Sequence, residues 1–80
     1  MGKFSLDVIA RLLLILLEGP VKRTTLYYRS GLSYPRLLEY LKFLEERGLI
    51  AEKDGAITLT EKGVKTAVEL ERIIGDYLDL

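Results

Sequence analysis

GLSYPRLLEYLKFLEERGLI, residues 31–50, has a marked start, a marked end and one apolar stripe. Ser33 is placed as an N-cap, because its hydroxyl can accept from a free backbone N–H of the first helical turn. Pro35 falls in that turn, where a missing N–H costs little. Leu37, Leu41 and Leu44 recur at helical spacing and share one face. Gly48 follows Arg47 where helices commonly end in a left-handed residue. Tyr34, Arg36, Leu38, Glu39 and Lys42 are left for the opposite face.

Upstream, Arg23 to Ser30 reads as a short helix capped by Thr24, with Leu26 pointing inward. Tyr27 and Tyr28 are adjacent, so one ring belongs at the surface. Gly31 supplies a tight turn and Leu32 a core plug, the kind of short connection that joins two helices into a helix-turn-helix. Val21 is expected as a single-residue strand beside a later hairpin. Further back, Ser5 caps a first helix and Asp7 suits the positive end of its dipole. Asp7 and Arg11 are spaced to pair. Ile9, Leu12, Leu13, Leu16 and Leu17 form a broad inner face, and Gly19-Pro20 ends the helix. Leu14 and Ile15 are then surplus, so this helix is either deeply buried or meets a partner.

Downstream, Asp54-Gly55 between two short apolar runs is a strong hairpin signal, since both positions tolerate positive φ. Leu49, Ala51, Ile57 and Leu59 are expected to face the core. Thr60 caps a fourth helix from Glu61 to about Leu78. Val64, Ala67, Val68 and Ile74 are expected to pack on the domain. Leu70, Ile73, Tyr77 and Leu80 follow a coiled-coil spacing, and with Leu14 and Ile15 they are the candidate dimerisation residues. A single broad core face is the alternative. The whole chain, residues 1–80, reads as one domain, mainly α with a small β-hairpin, and 61–80 is its C-terminal helix.

The 80 residues contain no Cys and no His, which removes disulfides, thiolate metal sites and the usual general base. Glu45 and Glu46 are adjacent and point about 100° apart on a helix, so they do not form a paired-carboxylate site. No Gly-rich phosphate loop is present. The expectation is a non-enzyme without metal or cofactor. Absence of Asn and Gln beside 30% charged residues resembles thermophile usage. The apolar run Val8–Leu17 contains Arg11 and is too short to span a bilayer, and no cleavage site follows it. A cytoplasmic protein without a membrane partner is therefore expected.

Net charge is zero, so bulk charge does not advertise nucleic acid. Its distribution says more. Residues 21–53 carry seven basic and four acidic side chains, and residues 54–80 carry three and six. Lys22 to Arg36 holds four cations and no anion. A basic middle and an acidic end fit a chain that offers one face to phosphates.

The order helix, helix, helix, two-stranded wing, helix resembles a winged helix-turn-helix domain. LSYPRLLEYLKFLEERGLI is similar to the recognition-helix-to-wing segment of winged-helix repressors, and ITLTEKG to their wing-to-last-helix junction. TTLYYRSGLSY resembles a segment of small archaeal winged-helix proteins, some chromatin-associated, which dimerise through a long C-terminal helix. The resemblance implies that Tyr34, Pro35, Arg36, Leu38, Glu39 and Lys42, opened by Ser33, face DNA. It also implies that Thr24, Thr25 and Arg29 meet the DNA backbone and that Lys53 lies on the wing. The acidic end and zero net charge favour a sequence-specific regulator over a DNA-coating, nucleoid-packaging protein.

On this reading Lys22, Arg23, Arg29 and Lys53 neutralise phosphates. Arg36 and Lys42 reach guanine edges, Glu39 accepts from cytosine N4, and Tyr34 or Leu38 touches a thymine methyl. The expected function is double-stranded DNA binding by a homodimeric transcriptional regulator, with the third helix, about 34–47, in the major groove. The rival is a winged-helix protein-interaction module in a multi-subunit assembly. The sequence leaves a small-molecule effector open.

Overall fold

The computed structural model describes residues 3–78 and side chains as far as Asp76. Its elements are α1 (Leu6–Leu17), β1 (Val21–Lys22), α2 (Arg23–Ser30), α3 (Tyr34–Glu46), β2 (Ile50–Lys53), β3 (Ala56–Leu59) and α4 (Glu61–Ile73). A π-helical turn, Ile74–Leu78, follows α4. The three strands form one antiparallel sheet in the order β1-β3-β2. This is the expected mainly helical domain with a hairpin, and Val21 does pair with Ile57.

α1 runs through the middle, against α4, α2 and β3. That position resolves its apolar excess. Ile15 is buried within the chain along with Leu12, Leu13 and Leu16, so it is not surplus, and only Leu14 of the expected pair is half-buried. Leu26, Leu37, Leu41, Leu44, Ile50, Ile57 and Ala67 complete the core. Tyr40 joins them at 1% exposure. Its hydroxyl accepts from the Ser5 backbone N–H at 2.8 Å, which satisfies a buried polar atom.

Three further expectations are corrected. The cap of α2 is Lys22, not Thr24: the helix starts directly after strand β1, so Thr24 already lies within its first turn. Within β2 the inward residue is Ile50, not Ala51, while Leu49, just before the strand, packs against the core as expected. The register sets Ile50 opposite Leu59 and Glu52 opposite Ile57, and directly opposed residues share a face. On α4, Val64 and Val68 are exposed, while Ala67 is buried and Leu70 packs against the core. The coiled-coil seam is therefore broken at Leu70, which turns inward. Ile73 stays exposed; the side chain of Tyr77, and Leu80 entirely, lie outside what is described.

The start of α4 is clamped to the end of α3. Thr60 caps α4, its hydroxyl accepting from the Gly63 N–H at 3.0 Å. The Thr60 N–H donates to Leu49 O at 3.0 Å, its hydroxyl donates to Gly48 O, and Lys62 Nζ donates to Arg47 O at 2.9 Å. Three successive carbonyls just past the end of α3 are thus satisfied. Gly63 makes the approach possible, since an added Cβ would stand 2.0 Å from Leu49 O.

Candidate nucleic-acid interface

Gly31, at φ 76°, ends α2 in a left-handed turn that an L side chain disfavours. The buried Ser30 stabilises this turn. Its hydroxyl donates to Tyr27 O at 2.9 Å and accepts from the Leu32 N–H at 3.1 Å. Arg11 reaches across from α1 to the Ser30 carbonyl at 2.8 Å and pairs with Asp7 at 3.2 Å. Ser33 then caps α3, accepting from the Arg36 N–H at 3.3 Å, so its hydroxyl is used within the helix. Thr24 and Thr25 are exposed on the first turn of α2.

With Leu37, Tyr40, Leu41 and Leu44 turned to the core, the helical period directs Pro35, Leu38, Glu39, Lys42 and Glu46 outward. This crest holds one lysine against two carboxylates. Beside it, a groove of about 270 Å³ separates α3 from the hairpin. Its floor is Leu38, Leu41, Ile50 and Ile57, and its rim carries Arg23, Lys42, Glu45 and Glu52. Lys22 precedes Arg23 on β1, and Lys53 follows Glu52 where the hairpin turns. Asp54 and Gly55 take φ of 53° and 78° there, so the wing is tight and short. Arg23 and Lys42 thus meet at the groove, whereas Lys22 and Lys53, both paired with Ala56, lie exposed on the opposite face of the sheet.

The arginines are engaged. Arg23 is ion-paired with Glu52 across the groove. That bond, followed by a hydrogen bond to Tyr34, pushes its pKa further above the usual arginine value. Arg29 pairs with Glu18 at 3.1 Å. Arg36 pairs with Glu39 at 2.8 Å and donates to the Lys3 carbonyl. Its guanidinium lies 4.9 Å from the Tyr40 ring centre and 5.6 Å from that of Phe4, within cation–π range. The Arg36 pair holds the Glu39 carboxyl below its ordinary pKa, aided by Lys3 at 3.0 Å. Arg36 is therefore half-buried on the flank of α3 under residues 3–5, away from the groove that Lys42 lines. Lys22, Lys42 and Lys53 form no ion pair among the described residues.

Tyr34 is 40% exposed and meets Tyr27 edge-on at 5.4 Å. Tyr28, 80% exposed, is the surface member of the Tyr27–Tyr28 pair. Sequence reasoning did not assign Tyr28, Glu18, Glu52 or the Phe4 stack on Phe43 at 4.4 Å to this region. Phe4 carried no periodic signal, and the arginine partners lie 11 and 29 residues away. Among the described residues no group of His, Cys, Asp or Glu is placed to hold a metal ion, and no helix is long and apolar enough to cross a membrane.

A comparison with curated proteins found no match. A family model described as winged helix-turn-helix matches residues 4–76, from the stacked Phe4 to the turn after α4. Domains of this kind suggest DNA as a partner. The helix-turn-helix of α2 and α3, the β2–β3 wing and the packed α4 agree with that match over its full length: the chain belongs to the winged helix-turn-helix family.

Proposed function

We propose that the protein is a sequence-specific double-stranded DNA-binding regulator that sets the crest of α3 in the major groove. The observation that carries this is the groove beside α3 and the wing that Arg23 and Lys42 line, with Lys22 and Lys53 exposed on the adjoining sheet. Lysines without carboxylate partners are ready phosphate contacts, which fix register. Leu38, Glu39 and Lys42 are the crest residues in position to touch base edges. Arg36 serves mainly to brace α3 against residues 3–5. A homodimer through exposed apolar residues of α1 and α4 would present two such faces to half-sites about one helical turn, ~34 Å, apart.

Fluorescence anisotropy on mixed-sequence duplex DNA tests the reading. Three phosphate contacts, from Lys22, Lys42 and Lys53, give such a duplex a log–log salt slope of roughly −2.7, on the order of a fortyfold loss between about 50 and 200 mM salt. Lys22→Ala and Lys53→Ala should each reduce the slope by about one unit. A flat salt response removes DNA as the partner. The carboxylates Glu39 and Glu46 on the crest, with Glu45 beside them, would then favour the rival reading, a protein-interaction module with a basic partner.

A further inference from the structure

We propose that Glu18 and Glu52 are specificity-determining residues that keep non-specific DNA binding weak by holding the two arginines of α2 away from phosphates. The inference rests on the DNA-binding reading above and goes beyond it. α2 and α3 contain three arginines, and each is tied to a carboxylate. Two of the ties cross between elements: Arg23 on α2 meets Glu52 on β2, and Arg29 on α2 meets Glu18 beyond the end of α1. They come from the tertiary fold and not from helical repetition. The third, Arg36–Glu39, is fixed by Lys3 as well, which bonds Glu39 at 3.0 Å. Lys22 and Lys53, expected at phosphates, and Lys42, expected at base edges, have no such partner among the described residues. The face therefore holds two populations of cation, one open and one occupied.

The occupied pairs are exposed enough to be exchanged. The Arg23 and Glu52 side chains are 38% and 41% exposed, and those of Arg29 and Glu18 are 41% and 64%. Exposed ion pairs hold their partners by a factor of about 1.4 to 5. A phosphate must displace a carboxylate to gain an arginine contact. A well-fitted duplex, with base-edge contacts already made, can offset that loss at each pair. An ill-fitted duplex, held by phosphates alone, cannot. The chain's zero net charge agrees with a face that does not attract DNA indiscriminately.

The test is anisotropy on a mixed-sequence duplex at two salt concentrations, using the full chain. Wild type, Glu52→Gln, Arg23→Gln and the double variant form one cycle, and Glu18→Gln with Arg29→Gln forms a second. Glu71→Gln, on the exposed side of α4, controls for net charge. Glu52→Gln and Glu18→Gln should each tighten non-specific binding about 1.5- to 5-fold at low salt and steepen its salt slope. The gain should fall to the level of Glu71→Gln once the paired arginine is removed. The proposal is overturned if wild type binds and neither variant tightens. It is also overturned if the gain persists without the arginine or is matched by Glu71→Gln. A wild type that binds no duplex overturns the DNA-binding reading itself, and the proposal with it.

Discussion

Replacing Gly63 by alanine sets two well-known effects against each other. Gly63 lies in the first turns of α4, where alanine is the better helix former by about 1 kcal/mol. Alone, that would stabilise the domain. The added Cβ would, however, stand 2.0 Å from Leu49 O, 3.0 Å from Leu49 C and 3.1 Å from Leu59 Cδ2. The nearest atoms are backbone, so no side chain can swing aside. Relief requires α4 and the α3–β2 connection to separate by about 1 Å, an overpacking strain of roughly 1–3 kcal/mol. The same movement stretches the Thr60 N–H bond to Leu49 O and the Lys62 bond to Arg47 O, at about 1 kcal/mol each. The net expectation is a destabilisation of about 2–4 kcal/mol. For a chain of 80 residues that lowers Tm by at least ~8 °C. Thermal and urea unfolding followed by circular dichroism measure it. A Gly63→Ala variant as stable as wild type, or more so, would refute the reasoning: helix propensity would have outweighed a contact that is looser than described.

Glu39→Gln should destabilise the domain near neutral pH and not in acid. The Glu39 pKa is lowered in the folded state, so its ion pairs contribute fully above the ordinary carboxylate range and are lost as pH falls through the depressed value. The difference between wild-type and variant urea midpoints should close with falling pH; a constant gap would contradict it. Leu37→Ala, at a position with no solvent exposure, should cost about 2–5 kcal/mol, while Leu38→Ala on the crest should cost far less. If the two unfold alike, the facing of α3 is wrong. If α1 and α4 form a homodimer, Val68→Glu with Ile73→Glu should yield monomers in sedimentation equilibrium, since both apolar residues are exposed. An unchanged mass would remove those residues from any interface.

Residues 31–50 were readable because several independent signals agree there. Ser33, Pro35, the Leu37–Leu41–Leu44 stripe and Gly48 each mark the same helix, and the structure places α3 at Tyr34–Glu46. Tyr40, spaced three from Leu37 and four from Leu44, fits the same stripe, although sequence reasoning left it unassigned. β2 was harder. Leu49, Ile50 and Ala51 are all apolar, so alternation alone does not fix the phase; pairing of Glu52 with Ile57 does. α4 offered two apolar stripes, and the choice between them depends on the close approach that Gly63 permits at Leu49. The two arginine pairs that cross between elements were invisible for a similar reason. A charge count gives the sign of a segment, whereas Arg23–Glu52 and Arg29–Glu18 exist only once β2 and the end of α1 are folded against α2.

The central claim is that DNA lies on the face made by the start of α2, the crest of α3 and the hairpin. A backbone amide NMR titration with a short duplex tests it most directly. The largest shift changes should fall at Lys22, Arg23, Thr24, Tyr34, Leu38, Lys42 and Lys53, with Leu14, Val68 and Ile73 nearly unmoved. Changes concentrated on α1 and α4, or none at duplex concentrations well above that of the protein, would contradict the account.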